Sequence, residues 1–210
     1  CAPEETLVLG KIYDSNLYMF SARLKELGAD VVSIGRESDD AIVLSERIKT
    51  LIDDFDLVVT TGGVSVGKKD IIHHVIEIMG AKRIFWRVNV KPGTPALFSI
   101  YKEKPIISLS GNPFAALVTF ELLVRPALAV MAKDNSIEIE KTEGLMGDHF
   151  EKKSPTRRMI RAVFKDSKIY LPKGHASGML HTMATCNCLI DIEKGNEGLR
   201  IGDRVKVLLL

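Results

Sequence analysis

Three glycines stand between an apolar run and a helical one. Leu57-Val58-Val59 is followed by Thr60-Thr61-Gly62-Gly63-Val64-Ser65-Val66-Gly67-Lys68-Lys69-Asp70 and then by Ile71 to Met79. That order reads as strand, glycine loop, helix. Glycine permits positive φ and leaves no side chain between the backbone and a ligand. Successive backbone N–H groups can then form a concave anion site, helped by the positive end of the next helix. Asp70 closes the loop with an acid. A phosphate-bearing ligand with a metal, or a polar pterin-like ring, suits such a site. A tight βα turn without a ligand is the alternative. Gly62 to Lys69 reads G-x-x-x-x-G-K-K, one residue short of a P-loop. Lys69 stands where that mechanism needs a hydroxyl on Mg²⁺.

A chain of 210 residues suggests one or two domains, and 46% hydrophobic residues suffice for a core. With 27% charged residues and a net charge of +2, nothing resembles a basic nucleic-acid surface or an acidic disordered tail. The apolar runs read as too short to span a bilayer, and the opening Cys1-Ala2-Pro3-Glu4-Glu5 is unlike a signal peptide. Neither nucleic acid nor membrane is expected as a partner. The three cysteines, Cys1, Cys186 and Cys188, form no framework and point to a reducing, cytoplasmic compartment. Cys186-x-Cys188 lacks zinc-ligand spacing and reads as two small hydrophobes on one strand face.

Periodicity predicts a helix from Asn16 to Leu27, stopped by Gly28, then a short strand from Asp30 to Ile34. A second helix, capped by Asp39 or Asp40, runs to about Ile52. Strands are expected at Leu57 to Thr60, Ile84 to Val90, Ala96 to Ile100 and Pro105 to Leu109, and a long apolar helix from Asn112 to about Ala132. The alternation predicts an α/β fold, a mostly parallel sheet with helices on both faces. Beyond Lys133 to Ser136 helical periodicity fades. Strand-like pieces at Ile137 to Glu140, Met159 to Phe164, Lys168 to Leu171, Cys188 to Glu193 and Arg204 to Leu210 predict a small all-β module. The expected domains are 1–134 and 137–210.

Two further segments could carry chemistry. In Ser110-Gly111-Asn112-Pro113-Phe114, Asn112 suits a helix N-cap and Pro113 the first helical position. This helix start should face the same sheet edge as the glycine loop, where open sheets bind ligands. In Arg87-Val88-Asn89-Val90-Lys91-Pro92-Gly93-Thr94-Pro95, alternation would put Arg87, Asn89 and Lys91 on one strand face, ahead of a rigid loop. Two cations and an amide there suit an anion clamp, or a solvated face. Asp39 and Asp70 should lie near the carboxyl edge, and carboxylates beside phosphates imply Mg²⁺. His73 and His74 read as packing or surface residues.

Taken together, these residues resemble the MoeA/gephyrin family of molybdopterin molybdenumtransferases. The likeness runs through Gly10-Lys11-Ile12-Tyr13-Asp14-Ser15-Asn16, Asp39-Asp40, Thr61 to Gly67 with Asp70, Phe85-Trp86-Arg87, Val90 to Pro95 and Ser110 to Pro113. It continues in Ser177-Gly178-Met179-Leu180, Cys186-Asn187 and Gly202-Asp203-Arg204-Val205, so it covers essentially the whole chain. The resemblance implies a molybdopterin-binding α/β domain like that of MogA, followed by a β-barrel-like domain. It implies insertion of molybdate into adenylylated molybdopterin (molybdopterin-AMP), with Mg²⁺ present and AMP released. By analogy Asp39 and Asp70 hold the metal, and Lys91 and Arg87 bind the oxyanion. Thr61, Gly62, Gly63, Val64, Ser65, Gly67, Ser110, Gly111, Asn112 and Pro113 hold the pterin and phosphates, and Ser177 reaches in from the β module.

Arg87 stands where well-known members carry a lysine, and Ser110 where a proline is common. The family places a strand ending in Thr-Gly-Asp-Glu-Leu, and two further domains, ahead of the segment matched here. A sheet without that strand is expected to show an unpaired edge and an open apolar slot. The chain therefore reads as the C-terminal part of a longer protein, a weak enzyme by itself, homodimeric when intact, with a molybdopterin adenylyltransferase as a candidate partner. The alternatives are a MogA-type adenylyltransferase, which the β module argues against, a gephyrin-like scaffold, and a nucleotide-binding module without turnover.

Overall fold

The computed structural model describes residues 1–32, 35–64, 71–174 and 179–210. The first part contains α1 (Ser15–Glu26), α2 (Ala41–Leu51), β1 (Val58–Thr61), α3 (Ile72–Met79), β2 (Lys82–Trp86) and the two-residue β3 (Val90–Lys91). It continues with β4 (Leu97–Tyr101), β5 (Lys104–Leu109), α4 (Pro113–Thr119) and α5 (Arg125–Ala132). Helix starts follow their capping chemistry. Asp14 Oδ1 accepts the Leu17 N–H at 3.1 Å to open α1. Asp40, not Asp39, opens α2, accepting from Ile42 at 2.8 Å and Val43 at 3.1 Å.

The sheet is mixed, which corrects the expected mostly parallel one. Its order is β1-β5-β4-β2, and only β1 and β5 run parallel. Connection length is the reason. A parallel pair needs a crossover of a dozen residues or so. β4 and β5 are joined by Lys102 and Glu103 alone, at φ 48° and 62°, the left-handed pair of a tight hairpin. Helices still cover both faces. Ile107 and Leu109 of β5 pack with Phe20 of α1 and with Ala116 and Phe120. Ile106, on the opposite face, packs with Ile48 and Ile52 and with Val75 and Met79 of α3.

β1 has no second neighbour among the described residues. Of the strand expected from Asp30 to Ile34, residues 30–32 form none, because a strand persists only where its backbone groups find a ladder, and Ser33 and Ile34 lie outside the described residues. A cavity of about 1160 Å³ runs along the free edge of β1, walled by Leu17, Phe20 and Leu24 of α1 and by Leu44 and Ile48 of α2.

Residues 113–132 form one helical rod in which a π-turn, Phe120–Val124, joins α4 to α5. By length and composition this rod could cross a membrane, which corrects the expectation that no apolar run is long enough. In this fold Phe114, Val118, Phe120 and Val124 are buried in the protein's own core. Glu121, fully buried in the π-turn, is held by Arg23 Nε at 2.8 Å and Arg125 at 3.0 Å.

The second part is all β: β6 (Lys141–Met146), β7 (Arg157–Lys165), β8 (Lys168–Tyr170), β9 (Cys188–Ile192) and β10 (Arg204–Leu209). Ile137 to Glu140, expected as a strand, holds the end of a 3₁₀ turn, Asn135–Ile137, and the approach to β6. The order β7-β8-β6-β10-β9 closes because β9 pairs back onto β7, and β3 adds a parallel strand to β7 from the first part. Phe150, Ile160, Ile169, Ile190 and Val207 fill the barrel. Val90, Phe114 and Val118 join Met159, Leu189 and Leu208 in one buried cluster that connects the two parts.

Candidate functional site

The parallel pair β1–β5 brings two glycine turns to one sheet edge. Thr61 sits beside Leu109 at the ends of these strands, and the Gly62 N–H donates to the Leu109 carbonyl at 2.9 Å. Gly62 and Gly63 both hold positive φ, at 89° and 64°. A Cβ on Gly111 would lie 3.4 Å from the Gly62 Cα, so the two turns touch through glycine alone. Gly63 accepts the Ile72 N–H at 3.1 Å, which draws α3 against the loop, and Val64 is buried. In the second turn Ser110 Oγ accepts the Asn112 N–H at 3.2 Å. Asn112 Oδ1 accepts the Ala115 N–H at 3.1 Å, with Pro113 first in the helix, as expected. Asn16 Nδ2 donates to the Gly111 carbonyl at 3.0 Å, clamping the start of α1 onto this turn.

Arg87, Asn89 and Lys91 do not share a strand face, which corrects the alternation argument. β2 ends at Trp86, and Arg87 adopts φ 72°. Left-handed backbone costs a non-glycine residue about 1–2 kcal/mol. Here the Arg87 N–H donates to Ala96 at 2.8 Å, and its guanidinium carbon lies 4.2 Å from the Trp86 ring centroid. The chain then crosses to the barrel, where Lys91 pairs with Arg158 in the β3–β7 ladder.

That crossing creates a cationic cleft of about 310 Å³, lined by Lys91, Lys152, Arg158 and Arg161 together with Phe114 and Phe150. Among the described residues no carboxylate lines it. Arg161 is buried, its guanidinium carbon 4.6 Å from the Phe114 ring centroid, and burial pushes its pKa down. Arg158 donates to Ser154 Oγ at 3.0 Å. Cations gathered at one small cleft suit an anion. Reading the sequence found Lys91 but missed Lys152, Arg158 and Arg161. The signal was three arginines within a strand otherwise rich in apolar residues, Arg157 to Lys165. Phe114 lines the cleft two residues after Asn112 caps the helix, so one helix start adjoins both the glycine turns and the cations.

The acids are less gathered. Asp39 is exposed on the loop before α2 and lines the large cavity. Ser65, Gly67, Asp70 and Ser177 lie outside the described residues. Among the described residues no three His, Cys, Asp or Glu side chains converge as a metal cage. Cys188 begins β9 and is buried, while Cys186 precedes the strand and is half-buried, so the two do not share a strand face as expected.

Residues 4–130 match the family described as "Probable molybdopterin binding domain", and residues 143–210 match "MoeA C-terminal region (domain IV)". A "Molybdopterin molybdenumtransferase" of Staphylococcus aureus is 30% identical over 204 residues, which cover 95% of this chain and 49% of that protein. The enzyme of the same name from Staphylococcus epidermidis is 31% identical over 210 residues, covering 98% and 50%. The chain thus spans about half the length of these curated relatives. Among solved structures, the molybdopterin biosynthesis moeA protein of Pyrococcus horikoshii superposes with a TM-score of 0.85 at 26% identity, over 100% of this chain and 51% of that one. A molybdenum cofactor biosynthesis protein of Pyrococcus furiosus shares the fold with a TM-score of 0.76 at 22% identity, over 94% and 65%. With paired glycine turns on the α/β sheet and a barrel behind them, the chain belongs to the MoeA family of molybdopterin-binding proteins.

Proposed function

We propose that this chain forms the substrate bed of a molybdenum-insertion enzyme. In that reading, adenylylated molybdopterin receives the metal from molybdate at its dithiolene, and AMP leaves. The observation that carries it is the cationic cleft at the β3–β7 crossing, beside the helix whose cap adjoins the glycine turns. Thr61, Gly62, Gly63, Val64, Ser65 and Gly67, with Ser110, Gly111, Asn112 and Pro113, would line the bed that holds the pterin and phosphates. Lys91, Arg158 and Arg161 would hold the tetrahedral oxyanion, with Arg87 reaching from the Trp86 face and Ser177 from the barrel. Such a bed works by positioning and by stabilising charge rather than by a protein nucleophile. Because the barrel supplies three of the cleft's four cations, insertion is favoured over adenylyl transfer, which needs no oxyanion cleft.

Mg²⁺ would enter this bed as an ion carried by the substrate. It takes one or two carboxylates plus phosphate oxygens and water, and Asp39 with Asp70 would provide those carboxylates. When bound, it would neutralise phosphate charge. We place the intact enzyme as a cytoplasmic homodimer, with a molybdopterin adenylyltransferase supplying its substrate.

Calorimetric titration with molybdopterin, then with its adenylylated form and Mg²⁺, tests this reading on the chain and on Asp70→Asn. Binding that falls at least about tenfold in the variant, at unchanged Tm, is expected for a lost charged contact. Equal affinity in both proteins would remove Asp70 from the site. Binding by neither would overturn the substrate assignment.

A further inference from the structure

Trp86 is the single tryptophan of the chain, and it touches both halves of the proposed bed. Its Nε1–H donates to the Val64 carbonyl at 3.2 Å, at the end of the described glycine loop. The ring packs on the buried cluster of Val64, Ile72, Ile76 and Leu97. It meets the His73 ring edge to face, with centroids 4.6 Å apart at 88°. The Arg87 guanidinium carbon lies 4.2 Å from the same indole centroid.

We infer that Trp86 is a positioning residue that sets the glycine loop and the Arg87 arm together; this rests on the functional reading above. An indole N–H is a donor only, so its partner must be an acceptor such as a carbonyl. Peptide units are planar, so holding the Val64 carbonyl fixes that whole peptide plane at the loop. The ring face separately holds a guanidinium whose backbone is in the left-handed region. Among the described residues the Arg87 side chain has no ion pair or hydrogen bond, so the indole is the contact that orients it. The two contacts use different parts of one side chain and can be removed separately.

The experiment compares the unaltered chain with Trp86→Phe and Trp86→Leu. Trp86→Phe keeps a ring for Arg87 and His73 but loses the bond to Val64, whereas Trp86→Leu loses both contacts. Molybdopterin probes the loop, and molybdate probes the cations. Trp86→Phe is expected to weaken molybdopterin by about fivefold, the usual worth of one hydrogen bond, and to leave molybdate within about twofold. Trp86→Leu should weaken both. In the unaltered chain the emission of Trp86 should shift on adding either probe.

A merely structural tryptophan would weaken both probes in step with Tm in both variants, and that pattern overturns the inference. So does a Trp86→Phe protein that binds molybdopterin like the unaltered chain. If the unaltered chain binds neither probe, the functional reading falls, and amide hydrogen exchange decides the rest. Faster exchange at Gly62–Val64 in Trp86→Phe, with the barrel strands unchanged, sustains the positioning role. Unchanged exchange there overturns it.

Discussion

Lys91 and Cys188 show two opposite uses of an ionisable side chain. Lys91 is exposed on a two-residue strand and faces a cleft shared with Arg158 and Arg161. Lys91→Ala is expected to weaken molybdate by about tenfold, because one of several charge-assisted contacts is lost. Molybdopterin binding should change less, and a parallel loss of both in calorimetry would refute the assignment. Cys188 has no solvent exposure, and burial pushes its thiol from an ordinary 9.0 up to about 12. The unfolded thiol releases its proton near pH 9, while the folded one keeps it to about 12. Its contribution to stability is therefore complete below pH 9 and is lost as pH rises toward 12. Denaturant melts of the chain and of Cys188→Ala between those limits should converge as pH rises. A constant gap would mean that the buried thiol is not the titrating group.

Among the elements, the helical rod of residues 113–132 is anchored by a charge in its middle. Glu121 sits fully buried in the π-turn with Arg23 and Arg125. Breaking a buried ion pair from one side typically costs about 3–5 kcal/mol. Glu121→Ala should lose stability on that scale in urea unfolding, and a loss below about 1 kcal/mol would show that the triad contributes little. β1 makes a different demand. One edge pairs with β5, and the other faces the cavity between α1 and α2. An extended apolar segment beside β1 would satisfy the backbone edge and both apolar walls together. Extending the chain upstream with the strand that the family resemblance implies is expected to raise Tm by several degrees, about what 1 kcal/mol gives a domain of this size. An unchanged Tm would mean that the edge needs no partner.

Among the described residues, hydrophobic packing, a short ladder and the Arg161–Phe114 contact join the two parts of the molecule. Val90, Phe114 and Val118 from the α/β part meet Met159, Leu189 and Leu208 from the barrel. Calorimetry should accordingly show one cooperative transition. Leu189→Ala removes a fully buried side chain at that joint, at a cost of about 2–5 kcal/mol, and should separate the melting of the two parts. Two transitions in the unaltered chain would show that the joint does not couple them.

The sequence alone determined what depends on local chemistry. Asp14, Asp40 and Asn112 cap helices because a side-chain oxygen reaches N–H groups two or three residues ahead. Gly62 and Gly63 turn where only glycine adopts the backbone cheaply. The amphipathic runs became α1, α2 and α3, and the family likeness followed from ordered short motifs. Tertiary structure decided what depends on partners. Arg87 reads as one more strand position until the Ala96 carbonyl and the Trp86 ring hold it left-handed. Arg158 and Arg161 read as ordinary strand residues until β3 lies alongside β7, setting Lys91 beside Arg158, and the Phe114 ring meets Arg161. Sheet direction was set by a two-residue hairpin, and residues 30–32 stayed out of the sheet for want of a neighbour. Caps and turns are fixed within a few residues, whereas strand pairing and charge clusters exist only once distant segments meet.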